Sequence, residues 1–153
     1  MNFFRINSKT PSWMQVVLKL AALYNLAWGA WVVIDPQAFF KLTGLEAINH
    51  PMIWQGMGMV IGVYGIGYYF ASFHPLRHWP IVAVGMLGKL FGPLGFLFNY
   101  LSGSVGLGFG LTLITNDLIW WIPFLLILKE VHFNYQWKLY NKKKTNIIVE
   151  TKT

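Results

Sequence analysis

Cysteine is absent from this 153-residue chain, acidic side chains number five, and charged residues make up only 11%. The first absence excludes disulfides, thiolate metal sites and cysteine redox catalysis. The scarcity of charge excludes a water-soluble globule, because such domains carry about 25% charged residues. In their place, 56% of residues are hydrophobic, with eight Trp, seven Tyr and twelve Phe. This is the composition of one membrane-embedded domain whose main partner is the lipid bilayer. A net charge of +7 would suit nucleic acid, but the basic residues fall where a membrane topology puts them, so no nucleic-acid partner is expected.

A helix needs about 20 mostly apolar residues to cross a bilayer. Four stretches qualify, at residues 13–34, 52–73, 79–100 and 105–128. "TPS" opens the first and "DP" closes it, while Pro51 and "HPLRHWP" bracket the second. Gly106, Gly108 and Gly110 blur the start of the fourth. The prediction is an all-α, integral-membrane four-helix bundle, residues 1–130, followed by a basic cytoplasmic tail over 131–153. No cleavable signal peptide is expected, since the first apolar run starts near Met14, is Trp-rich and lacks a small-residue exit.

Orientation follows from the positive-inside rule. Arg5 and Lys9 precede the first span, Arg77 lies between the second and third, and Lys129, Lys138, Lys142, Lys143, Lys144 and Lys152 follow the fourth. The other two loops hold Lys41 against Asp35 and Glu46. Both termini are therefore expected in the cytoplasm, with the protein in a bacterial inner (plasma) membrane. Lys19, near the cytoplasmic start of the first span, can snorkel. In the first outer loop Asp35 can cap, Pro36 can start and Gly44 can end a short helix. Phe39, Phe40 and Leu42 would give it an apolar face lying in the outer interface.

Small residues let membrane helices approach closely. Gly58, Gly62 and Gly65 share one face of the second span, and Gly85, Gly88, Gly92 and Gly95 share one face of the third. Both stripes are expected to be packing seams, within the bundle or toward a second copy or another membrane protein. They are not phosphate loops, because no Gly-Lys-Ser/Thr ending follows them.

Lys89 interrupts the apolar run "GMLGKLFGPLGF" ten residues into the third span. That is about 15 Å deep, near the centre of a hydrocarbon core about 30 Å thick. Facing lipid there would cost at least about 2.5–3.5 kcal/mol. Lys89 shares the face of Gly85 and Gly92 and so points inward. Pro93 cannot donate to its carbonyl, which leaves an acceptor free at that depth. The spans contain one acid to meet it, Asp117 in "TNDLIWWIPF". A midplane cluster of Lys89, Asp117, Asn116, Asn25 and Tyr24 follows, walled by Trp120 and Trp121. If the fourth span starts later, Asp117 instead caps a half-helix and the span is broken there.

The histidines, at 50, 74, 78 and 132, lack helical ligand spacing within any span, so no metal site is expected; headgroup-level anchoring suits them better. The same aromatic-belt role is expected for Trp28, Trp31 and Trp54.

The motifs "WQGMGMVIGVYGIGY", "RHWPIVAVGMLGKLFGP" and "NDLIWWIPF" resemble small bacterial four-helix membrane proteins of the DoxX-like kind, over roughly residues 15–130. Some similar sequences carry an alkyl hydroperoxide reductase label, which implies a peroxidatic cysteine that this chain lacks. DoxX relatives include a quinone-linked thiosulfate-oxidising subunit. The resemblance thus implies the bundle and offers quinone as a candidate cofactor, but no quinone motif matches residue by residue. Three functions stand open at this point: small-molecule or ion handling at Lys89 and Asp117, a subunit of a membrane redox system, or a non-catalytic accessory subunit.

Overall fold

A computed structural model describes residues 10–150, with the backbone alone at 138 and 142–150. Its elements run α1 (Ser12–Ile34), α2 (Ala38–Thr43), α3 (Pro51–Phe73), α4 (Trp79–Leu101), α5 (Leu107–Leu113), a π-helical turn (Ile114–Leu118) and α6 (Ile119–Glu150). No strand occurs among the described residues. Four helical segments are long and apolar enough to cross a membrane: Ser12–Ile34, Pro51–Phe73, Trp79–Leu101 and Leu107–Asn141. Arg5, Lys9 and Lys152, which enter the orientation argument, lie outside the described residues, as do the side chains of Lys138 and Lys142–Lys144.

Proline and glycine set most helix boundaries. Pro51 and Pro80 occupy the first turns of α3 and α4, where a missing N–H costs nothing. Asp35 Oδ1 accepts from the Gln37 and Ala38 amides at 3.2 and 3.1 Å, and Gly44 closes α2 in the left-handed region at φ 68°. Beyond the expected span the fourth helix continues to Glu150, and neither Gly nor Pro follows Pro123 in that stretch to end it.

The spanning helices run up and down, each antiparallel to the next. Along α1 and α3 the backbones touch: a Cβ on Gly29 would stand 2.5 Å from the Gly58 carbonyl oxygen and 2.9 Å from the Gly62 nitrogen. Further along the seam, a Cβ on Gly65 would meet the Ala22 carbonyl at 3.0 Å. The expected seam on α3 is therefore present, and its partner is α1. The α4 stripe behaves otherwise. A Cβ on Gly85 would collide with the Tyr68 ring, one on Gly92 would meet the Asp117 carboxylate at 2.8 Å, and Gly88 and Gly95 meet nothing within 4 Å. On α4 glycine makes room for side chains and for space, not for a neighbouring backbone.

Met14, Leu18, Ala21, Tyr68, Ala71, Leu76, Val82, Phe124 and Ile127 pack into one core at the end of the bundle that carries the turn between α3 and α4. Outward faces are apolar as well; Leu23, Phe98 and Ile122 are 65%, 74% and 71% exposed. Helices apolar on every side suit a lipid solvent. At the opposite end, α2 folds Phe39 inward. Its ring sits 5.7 Å from Trp28, 5.6 Å from Trp54 and 6.0 Å from Phe109, while Leu42 faces out. Two glutamines fasten this end. Gln37 exchanges hydrogen bonds with the Ile48 backbone (3.0 and 3.2 Å), and Gln55 Nε2 donates to the Val33 carbonyl (2.9 Å).

Candidate ligand-binding site

Lys89 and Asp117 do meet, in a looser arrangement than a simple ion pair. Lys89 Nζ lies 3.9 Å from Asp117 Oδ1, and both side chains are more than nine-tenths buried. That separation exceeds hydrogen-bond reach. The ammonium donates instead to the backbone carbonyl of Asn116, and Asn116 Nδ2 donates to Asp117 Oδ1 at 3.1 Å. Both contacts come from the π-helical turn. In it the Ile119 N–H reaches back to the Ile114 carbonyl, and the inserted residue re-aims the neighbouring carbonyls and side chains. The span is therefore continuous through Asp117, which caps no half-helix.

The carbonyl that Pro93 leaves free in α4 is also matched. Pro93 frees the Lys89 carbonyl, and the Trp121 indole N–H donates to it at 3.0 Å. Trp120 lies on the other side of the lysine, its ring centroid 5.8 Å from Nζ, within cation–π range. Tyr24 packs on Trp120 with ring centroids 5.8 Å apart. Two indole N–H groups, of Trp54 and Trp120, are buried without a hydrogen-bond partner among the described residues. Each such group costs about 1–3 kcal/mol when nothing else meets it.

Above this pair the bundle is hollow. A cavity of about 650 Å³ extends from Tyr68, Gly85 and Lys89 at its floor to Phe39, Thr43 and Trp54 at the α2 end. Asn25, Lys89, Asn116, Asp117 and Tyr24 line it, whereas Trp120 and Trp121 stand behind the lysine and not on the cavity wall. Trp28, Trp31 and Trp54, expected in an aromatic belt, turn their rings onto the cavity instead. Phe39 on α2 gives Trp28 and Trp54 an inward aromatic partner, which a belt position would lack.

Sequence reasoning missed Tyr64 and Tyr68 as lining groups. A signal existed: the two phenols, four residues apart, share one face of the second span, and Tyr68 lies three residues from Gly65. Tyr68 and Asn25 are 1% and 5% exposed, and neither side chain has a hydrogen-bond partner among the described residues. A volume of this size, mostly apolar with a few convergent polar groups, is what small-molecule sites have in common.

The histidines stand apart from this site. His74 and His78 face one another with ring centroids 6.4 Å apart across the α3–α4 turn. Partial burial holds the His78 imidazole below its ordinary value, with Arg77 and His74 adding to the effect. Among the described residues no three His, Asp or Glu side chains gather where they could hold a metal ion.

Compared with protein-family models, with curated proteins and with solved structures, the chain has no match.

Proposed function

We propose that this chain is a small multi-pass membrane protein that binds a small molecule or ion in the cavity above Lys89 and Asp117, at the middle of the bilayer. The observation that carries the reading is the pairing of a 650 Å³ cavity with polar side chains on its wall, Asn25 and Tyr68, that have no hydrogen-bond partner among the described residues. The Asn25 carboxamide and the Tyr68 phenol face this space, and a ligand in it supplies the partners that they lack. Ionisable residues at this depth are functional by default, because a helix that merely packs has no use for them.

The same reading orients the protein with both termini in the cytoplasm of a bacterial cell and α2 at the outer surface. Arg77 in the α3–α4 turn and Lys129 on α6 support this, together with the basic residues that follow. The cavity then opens toward the outer face. The DoxX-like resemblance supports a bacterial inner-membrane bundle and carries no functional residue with it.

The natural absence of cysteine makes a clean accessibility test. Gly88 lines the cavity with open space before it, while Leu87 is half exposed on the outer surface of α4. In vesicles, Gly88→Cys should react with a small water-soluble thiol reagent added from outside, and Leu87→Cys should resist it. A Gly88→Cys variant that stays unreactive would mean that the cavity is sealed and the reading fails. A charge-removal cycle complements it. Lys89→Met and Asp117→Asn should leave the melting temperature in detergent near that of the parent. Large losses in both singles, recovered in the double, would mark a structural pair.

A further inference from the structure

Resting on that reading, we infer that the cavity takes a monocarboxylate with an aromatic or aliphatic body, and that one proton enters with it to reside on Asp117. The hydrogen-bond inventory of the floor points this way. Lys89 has three N–H donors and spends one on the Asn116 carbonyl, while Asp117 at 3.9 Å is too distant to accept another. Asn25 adds two N–H donors and Tyr68 one O–H, none of them committed within the described residues. The main counterweight, the Asp117 carboxylate, is already engaged by Asn116 at Oδ1, and its Oδ2 lies against Gly92, where a Cβ would stand 2.8 Å away. The lining thus offers unfilled donors together with one ammonium, and the group that fills such a set is an oxygen-rich anion.

The rest of the cavity selects the body of the ligand. Trp28, Trp31, Phe39, Trp54 and Phe109 wall it, so a flat or flexible apolar group is buried there while the head sits on Lys89.

Charge balance then fixes the proton. Empty, the floor holds one ammonium and one carboxylate and is neutral. A second carboxylate beside the same ammonium leaves an unpaired negative charge in a low-dielectric interior, which is too costly to persist. The anion replaces Asp117 as the partner of Lys89, and Asp117 takes up a proton from water, forming one O–H bond. What enters is the carboxylate plus one proton. The lining residues carry no other charge. The titratable groups that also face the pair are the phenols of Tyr24 on α1 and of Tyr64 and Tyr68 on α3.

The test uses the full chain in lipid nanodiscs, with 2-naphthoate as probe, decanoate as the aliphatic counterpart and 2-naphthamide as the uncharged isostere. Titration calorimetry in two buffers of different ionisation enthalpy counts the protons. Uptake should be close to one per 2-naphthoate bound, with Kd rising about tenfold per pH unit between about pH 6 and pH 8. Asp117→Asn should bind 2-naphthoate with no proton uptake and little pH dependence. Lys89→Met should lose binding, and Asn25→Leu, which leaves the charges alone, should weaken it roughly tenfold, the worth of one hydrogen bond to a charged group. Circular dichroism confirms that each variant is folded, and Lys89→Arg, which keeps the charge, should retain binding. If 2-naphthamide binds as tightly as 2-naphthoate, or binding to the parent takes up no proton, the carboxylate assignment falls while the cavity remains a ligand site. If all three probes bind weakly and equally to the parent and to Lys89→Met, there is only partitioning into lipid, and the carboxylate inference is overturned. The accessibility of Gly88→Cys then decides the broader reading separately.

Discussion

The same four helices build two unlike halves of this bundle. Toward the α3–α4 turn, Met14, Leu18, Ala71, Val82, Phe124 and Ile127 are almost wholly buried in one core. Toward α2, the helices enclose 650 Å³. The difference is not one of hydrophobicity, since both halves are apolar. It lies in which residues face inward. At the closed end large side chains such as Met14, Leu18, Phe124 and Ile127 fill the interior between small ones, whereas in the middle of α4 the inward positions are Gly85, Gly88 and Gly92. In lipid the burial of apolar surface drives no association, so a gap is not squeezed shut as it would be in water. A hollow half persists where close packing elsewhere holds the helices, and here that packing is the closed half and the α1–α3 seam.

This contrast predicts where substitutions hurt. The largest effect should fall at the closed end, where Phe124 is fully buried and its ring stacks edge-on to Tyr68 at 5.2 Å. Phe124→Ala should lose about 3 kcal/mol of stability in a reversible detergent-unfolding titration, and Phe109→Ala, facing the cavity, at most about 1 kcal/mol. Equal losses at the two sites would mean that the halves are packed alike.

Glycine separates the α1–α3 seam from the cavity wall next. Gly29→Ala drives a methyl into the α3 backbone and should cost about 1–3 kcal/mol, because neither partner can move aside. Gly88→Ala meets nothing within 4 Å and should be silent to within about 0.5 kcal/mol by the same titration. A smaller effect is expected at the boundary between the halves. Trp121→Phe removes the donor that satisfies the Lys89 carbonyl, with a loss of about 1–2 kcal/mol. A Pro93→Ala background, which returns a helical donor to that carbonyl, should shrink the loss.

The smallest effect belongs to pH at the closed end. Since His78 is held below its ordinary value of 6.5, the folded protein binds fewer protons there than the unfolded chain does. Stability is then complete above about pH 6.5 and declines as pH falls through the folded-state value. Melting temperature should drop on acidification, and His78→Asn should flatten that slope. A steeper slope in the variant would contradict the assigned direction.

Sequence alone determined the solvent and the number of spans, and it singled out Lys89 and Asp117 as the charges to explain within them. Long apolar runs interrupted by Pro and Gly admit one reading in a bilayer, because backbone groups there must be satisfied within a helix. It also exposed the free carbonyl at Lys89, since Pro93 lacks a donor wherever it folds. Tertiary structure decided the rest. The glycine stripes of α3 and α4 look alike in sequence, yet one receives a helix and the other faces a cavity, because a stripe specifies that something can come close and not what does. Trp28, Trp31 and Trp54 read as belt residues until α2 folded Phe39 between two of them. The π-helical turn that brings the Asn116 carbonyl to Lys89 and holds Asp117 at 3.9 Å had no signature in the chain. One inserted residue changes which groups face inward, and only the packing of α4 against it shows that the insertion is there.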